Sequence, residues 1–161
     1  MSHWESVGKS DEWYTPRYIF SALGEKFDLD VANGAEGTDF VPCYHRYGSK
    51  SLDLPWHGFV WMNPPFGARN SLTPWLDKFF SHGNGIALTP DRTSTGWWQQ
   101  AAIRADAFLF VHGKIKFVRP DGTVGKSPST GTTLFASGTR GVAALRRSNL
   151  GVVAIEMTDT E

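Results

Sequence analysis

Apolar and polar positions change rhythm several times along this chain. Tyr18, Ile19, Ala22 and Leu23 recur at helical spacing behind Thr15-Pro16. That pair reads as an N-cap followed by proline at the first helical position, and Gly24 supplies a stop. Phe27-Asp28-Leu29-Asp30-Val31 alternates apolar and acidic, which predicts a strand, and Ala32-Asn33-Gly34 is a turn signal. Residues 35–57 carry little pattern and suggest one short helix and a weak strand over 51–54. From Gly58 the signals sharpen. Phe59-Val60-Trp61-Met62 predicts a buried strand that must end at Asn63-Pro64-Pro65, because proline cannot donate to a sheet ladder. Ser71 or Thr73 can cap a helix carrying Trp75, Leu76, Phe79 and Phe80. Residues 85–88 predict another strand. Ser94 or Thr95 can cap the next helix, with Trp97, Trp98, Ala101, Ala102 and Ile103. Residues 107–111 form a third strand of this run, which 115–118 extend past a kink at Gly113. Pro120-Asp121-Gly122 is a turn, and 132–136 and 151–155 finish the chain as strands.

Strands alternating with helices through the middle of the chain predict an α/β fold, a mostly parallel sheet with helices on both faces and antiparallel strands at the edges. Ligands of such sheets sit beyond the carboxyl ends of the strands. Residues 30–34, 63–66 and 90–92 each follow a predicted strand directly, so three polar turns share one rim.

Composition narrows the class. The 161 residues fit one domain over 13–161 behind a polar, frayed segment over 1–12. A single cysteine excludes a disulfide framework and a cysteine-ligated zinc site, and the histidines stand singly with no metal-ligand spacing. The apolar runs are too short to span a bilayer, and the N-terminus lacks a signal pattern, so a cytoplasmic setting is expected. The net charge of zero hides an asymmetry. Residues 1–60 hold five basic and nine acidic side chains (−4), residues 61–155 eleven and four (+7), and the last six residues add −3. The middle of the chain is where a polyanion would bind.

Asn63-Pro64-Pro65-Phe66 is the segment with the most chemistry. As structure alone it would be a strand terminator with a tucked-in ring. As a site it suits methyl transfer to a planar exocyclic nitrogen, whose lone pair is delocalised and poorly nucleophilic. An asparagine side-chain oxygen and a proline carbonyl can accept its two N–H bonds and favour a pyramidal nitrogen. The proline pair stiffens the loop, and the Phe66 ring can stack on a base taken out of the duplex. Arg92 and Thr93, on the same rim, can hold a phosphate. Of the adjacent Trp97 and Trp98, one belongs to the core and the other reaches DNA or the loop. We assign Trp98 to DNA. Lys114, Lys116, Arg119 and Lys126 flank a Gly- and Ser-rich loop over 120–131, in which Ser127 and Ser129 add donors, and this is the expected backbone-binding element.

In order and spacing the chain resembles the phage-type (Dam-like) DNA N6-adenine methyltransferases. The residues that carry the resemblance are Asp11-Glu12-Trp13-Tyr14-Thr15-Pro16, Phe27-Asp28-Leu29-Asp30-Val31-Ala32, Trp61-Met62-Asn63-Pro64-Pro65-Phe66-Gly67, Thr89-Pro90-Asp91-Arg92-Thr93 with Trp97-Trp98, Lys114-Ile115-Lys116-Phe117, and Pro128-Ser129. The resemblance implies a Rossmann-like methyltransferase fold, S-adenosylmethionine as donor and adenine in double-stranded DNA as acceptor. It also implies a phage- or prophage-encoded protein in a bacterial host, linked to restriction-modification. Asn63, Pro64, Pro65 and Phe66 would then be catalytic. Asp30 and Ala32 would cradle the methionine part of the donor, with Trp13, Thr15 and Pro16 on the cofactor side. Asp53 could accept from the donor's adenine amine, by analogy with nucleotide sites. Residues 36–47 depart from the family pattern. No separate target-recognition domain is evident, so recognition falls to loops or to a second subunit in a homodimer. Similar loops also methylate RNA bases or a glutamine amide. A non-catalytic nucleic-acid-binding module is the reading from another class.

Overall fold

The computed structural model describes residues 13–33, 40–66, 71–119 and 121–155. The expectations for residues 1–12, Gly34, Gly67, Pro120 and the acidic last six residues lie outside the described residues. Seven strands are described: β1 (Phe27–Asp30), β2 (Cys43–Arg46), β3 (Val60–Met62), β4 (Gly85–Pro90), β5 (Ala107–Val111), β6 (Thr132–Ser137) and β7 (Gly151–Ile155). They form one sheet in the order β2-β1-β3-β4-β6-β5-β7. The helices are α1 (Arg17–Leu23), α2 (Thr73–His82), α3 (Gly96–Arg104) and α4 (Thr139–Ser148).

The sheet is not mostly parallel. β1 pairs in parallel with β2 and β3, and β3 with β4, whereas β4·β6, β5·β6 and β5·β7 are antiparallel. The reversed strand β6 lies inside the sheet and not at its edge. The reason is its composition: all six residues of Thr-Thr-Leu-Phe-Ala-Ser are buried, which suits a strand covered on both faces. Because β4 and β5 both oppose β6, they run in the same direction. The connection over 112–131 therefore leaves and re-enters the sheet at the rim where β1, β3 and β4 also end.

Helices cover both faces. Ile19, Phe20 and Leu23 of α1 and Ala144 and Leu145 of α4 pack with Phe59, Trp61, Ile86 and Leu134 on one face. Trp75, Leu76 and Phe79 of α2 and Trp98 and Ala101 of α3 pack with Val60, Met62, Ala87 and Phe135 on the other. Phe59, Val60, Trp61 and Met62 thus alternate strictly between the two cores, as a pleated strand requires.

Local expectations held where the signal was strong. Gly24 ends α1 in the left-handed region (φ +65°), its N–H donating to the Phe20 carbonyl at 3.0 Å. Thr95 caps α3, accepting from Trp98 N. Elsewhere corrections are needed. α1 starts at Arg17 with extended Pro16 as its cap residue, so Thr15 stands one position outside the helix and does not cap it. Leu72 precedes α2 with no side-chain cap. Residues 51–53 form a short 3-10 turn, whose carbonyls Lys78 Nζ binds at Ser51 (3.2 Å) and Leu52 (2.8 Å). Residues 115–118 do not extend β5. Gly113 turns the chain (φ +75°), and Ile115 and Phe117 bury themselves beneath a clip in which Tyr14 and Val118 exchange both backbone hydrogen bonds.

Candidate active site

The register puts the three rim turns side by side. Asp30 pairs with Trp61 and Met62 with Ala87. Carried forward along the strands, this sets Ala32 level with Asn63, and Leu88 on the other side. β3 stops at Met62 because Pro64 and Pro65 have no N–H to continue the ladder, while β4 runs on to Pro90. The Asn63-Pro64-Pro65-Phe66 segment therefore occupies a notch between the Asp30 turn and the end of β4.

A bulge aims Asp30. The Phe59 carbonyl accepts from both Asp28 N (2.8 Å) and Leu29 N (3.4 Å), so two residues of β1 oppose one of β3. The alternation shifts by one there. Phe27 packs into the α1 core, Leu29 and Val31 into the α2–α3 core, and Asp30 falls on the α1 side with Trp61. Asp30 is 4% exposed, and its Oδ1 accepts from Ala32 N at 3.2 Å, closing the turn on itself. Asp28 serves the fold and not the notch. Its Oδ2 accepts from Phe59 N at 2.7 Å, and a Cβ on Gly58 would lie 2.3 Å from that oxygen.

Asn63 lies two residues beyond Trp61 and so faces the α1 side too. There its Nδ2 donates to Thr15 Oγ1 at 3.4 Å. Thr15 is 3% exposed. With Nδ2 engaged, Oδ1 is the open end of the amide. Among the described residues nothing donates to Asn63 Oδ1 or to the Pro64 carbonyl, the two acceptors that an exocyclic amine would need. Pro64 is buried and Pro65 exposed, as for a loop held from one side.

Phe66 is half-buried beneath Arg92, whose guanidinium carbon stands 5.0 Å from the ring centroid, and meets Trp97 edge-on at 6.1 Å. Arg92 thus rides on the loop. Thr93 is exposed on the same rim. The assignment of Trp98 to DNA is corrected. Trp98 is 5% exposed, stacks on Phe110 at 6.0 Å and donates from Nε1 to Thr133 Oγ1 at 3.0 Å. Trp97 is the tryptophan at the loop. Helical geometry turns adjacent residues by about a quarter-turn, and the sequence does not say which of the two points inward. Asp91 is a rim residue to which sequence reasoning gave no role. An indole N–H can only donate, so the Thr133 hydroxyl accepts from it and donates its own hydrogen bond to Asp91 Oδ1. Asp91 N in turn binds the Gly131 carbonyl at 3.0 Å, pinning the far end of the 112–131 connection to the rim. A polar residue directly after a central strand was the available signal.

Of the proposed DNA-binding residues, Lys114, Lys116, Arg119, Ser127 and Ser129 are all exposed on that connection. Lys114 Nζ reaches the Ser129 carbonyl at 3.2 Å, tying the two arms together. Arg119 stacks over Trp13 at 4.6 Å, and Gly125 fits only because it has no side chain, since a Cβ would lie 2.3 Å from the Trp13 ring. At the tip, hydrogen bonds from the Thr123 side chain and backbone hold the Asp121 carboxyl below its ordinary value. The basic loop is thereby joined through Trp13 and Tyr14 to Thr15 and the notch.

The donor set at the notch fits a cationic, amine-bearing cofactor: a buried carboxylate at Asp30 and a small residue at Ala32 for close approach, with the Thr15 hydroxyl taken up by Asn63 Nδ2. Pro16 is half-buried next to it. Asp53 is exposed on the 3-10 turn. A groove of about 350 Å³ runs beside α1 between Phe20 and Phe40 and includes none of the rim residues.

The family model described as DNA N-6-adenine-methyltransferase (Dam) matches residues 4–135 of this chain, a span that includes all three rim turns. No curated protein and no solved structure matches it.

Proposed function

The chain belongs to the DNA N-6-adenine-methyltransferase (Dam) family, and from that premise we propose that it transfers a methyl group from S-adenosylmethionine to the N6 amine of an adenine flipped out of duplex DNA. The observation that carries this reading is the Asn63 amide, held at Nδ2 by Thr15 and open at Oδ1, beside the open carbonyl of Pro64. Together they accept the two N–H bonds of the amine and leave its lone pair free to point away from the loop. S-adenosylmethionine supplies an electrophilic methyl on sulfur, which leaves as a neutral thioether. Asp30 and the Ala32 turn bind its amine end, Trp13 and Pro16 line the cofactor side, and Asp53 accepts from its adenine. The Phe66 ring, backed by Arg92, stacks on the flipped base. Positioning supplies most of the rate, since the methyl already sits on a good leaving group. Lys114, Lys116, Arg119, Ser127 and Ser129 hold the phosphate backbone, with Thr93 as a further donor.

Methyl-labelled S-adenosylmethionine and unmethylated duplex DNA, digested to nucleosides after reaction, test this. Labelled N6-methyladenine, absent with Asn63→Ala, is expected. Label in RNA or in a glutamine amide instead would transfer the same loop to another acceptor. No label anywhere would leave the non-catalytic binding module. The phage-linked origin, the bacterial cytoplasm, the restriction-modification role and the homodimer belong to the same proposal.

A further inference from the structure

We propose that Thr15 is a positioning residue for the catalytic amide, and that its hydroxyl, by accepting from Asn63 Nδ2, turns Oδ1 toward the target nitrogen. The inference rests on the methyl-transfer reading of this site. It goes beyond a cofactor-side role for Thr15, because it makes that side chain act through Asn63.

Four observations carry it. Thr15 does not cap α1: the helix begins at Arg17 with Pro16 as its cap residue and no side-chain cap bond. The hydroxyl is therefore not spent on the helix end. It is buried at 3% exposure, so water does not compete for it. It lies on the sheet face to which alternation sends Asn63, and the two meet at 3.4 Å. Its backbone is fixed on both sides, by Pro16 leading into α1 and by the paired bonds of Tyr14 with Val118 at 2.7 and 2.9 Å.

The chemistry needs such a group. An asparagine amide turns about a broad, two-fold torsion, and its two ends have similar size. Turned the wrong way, it presents an NH2 group to a substrate amine that is itself a donor. The Thr15 hydroxyl can accept or donate, and by accepting from Nδ2, as it does here, it anchors the amide in the productive half-turn. Hydrogen bonds of this kind run long before a substrate is seated and shorten in the loaded complex.

The test uses the full chain with Thr15→Val, which removes the hydroxyl at nearly constant shape, and Thr15→Ser, which keeps it. Thr15→Ala serves in place of Thr15→Val if that variant does not fold. The first readout is the nitrogen-15 resonance of the Asn63 side-chain NH2, identified as the pair missing from Asn63→Ala. Thr15→Val should shift its bonded proton upfield and speed its exchange with water, and Thr15→Ser should restore both. An unmoved resonance overturns the proposal.

The second readout separates turnover from donor binding. Thr15→Val should lower kcat about tenfold, the size of one lost hydrogen bond, with S-adenosylmethionine and S-adenosylhomocysteine affinities unchanged. Thr15→Ser should recover most of the loss, and Thr15→Val should do nothing further in an Asn63→Ala background. A fall in cofactor affinity with kcat intact places Thr15 on the cofactor and overturns the positioning role. If the wild-type chain transfers no label, the methyl-transfer reading fails, and the resonance alone then decides whether Thr15 holds Asn63.

Discussion

On one side of the sheet, β1, β2 and β3 run with β4. β1, β3 and β4 end at one rim, where the register sets the Asp30 turn beside Asn63 and Asp91 follows β4. On the other side β6 opposes both β4 and β5, and the chain crosses the same rim as a single long connection over 112–131. Residues at the carboxyl ends of parallel strands are fixed to the register of the sheet, which suits groups that must hold an amine in place. The long connection carries three lysines and Arg119 and suits a backbone of phosphates. At the rim Trp98 and Thr133 hold Asp91, and Asp91 holds Gly131, so the connection is pinned there as well as at the Tyr14–Val118 clip.

Five variants test that division, from the largest expected effect to the smallest. Trp98→Ala should empty the core of the joint and cost about 3–5 kcal/mol in denaturant unfolding, whereas Trp97→Ala should lower turnover with much less effect on stability. Equal stability losses at the two positions would break the comparison. Asn63→Ala should cut kcat by about a hundredfold to a thousandfold, the loss expected for one preorganised partner, with the melting temperature and donor affinity nearly unchanged. A stability loss matching the activity loss would make the loop structural. Replacing Lys114 and Lys116 together by Ala should weaken DNA binding alike for all sequences and reduce the slope of log affinity against log salt by about 0.9 for each phosphate no longer neutralised. An unaltered slope moves the DNA off the antiparallel half.

The smallest effect concerns α1 and α4. Burial alone would raise the Glu25 carboxyl, but hydrogen bonds from Arg140 (2.7 Å) and Arg147 (2.8 Å) outweigh it and hold it below its ordinary 4.5. A depressed carboxylate stabilises the fold above its unfolded-state value, and that stability is lost as pH falls through the folded-state value. Glu25→Gln should therefore cost about 1 kcal/mol or less near neutrality and almost nothing in strongly acidic solution, as read from unfolding midpoints against pH. A pH-independent difference would show that the ion pair contributes nothing.

The parallel half was the legible one. Residues 59–62 are apolar without interruption and stop at two prolines, and Gly85 onward repeats the apolar run, so both strands and the turn at 63–66 could be located by inspection. β2 could not, because an edge strand reading Cys-Tyr-His-Arg is mostly exposed and has no apolar rhythm. Of α4 only the end at Arg146 and Arg147 was legible. Its buried face is Gly141, Ala144, Leu145 and Ser148, with one large apolar residue among four, and Gly141 is required because a Cβ there would lie 2.7 Å from the Gly85 carbonyl. The inserted position of β6 was not legible either, since strand order depends on which edges meet and not on any one segment. Within the site, Asn63, Asp30 and the basic loop are legible in the sequence. Thr15 is misread as a cap, because a threonine before a proline carries the same signal whether it caps the helix or faces a strand end. Trp98 is misread as the DNA-facing ring, because two adjacent tryptophans look alike until the helix is docked.

The placement of β6 also bears on how the chain acquires its structure. A growing polypeptide that ends before Thr132 has β4 unpaired along one edge and β5 along both, with no strand to join them. Both must wait for a segment made late, and pairing over such a separation closes slowly. The notch assembled from residues 15–91 thus depends for its permanence on residues 132–137, so that a prematurely terminated chain would contain nearly every group of the site and lack the wedge that keeps them in place.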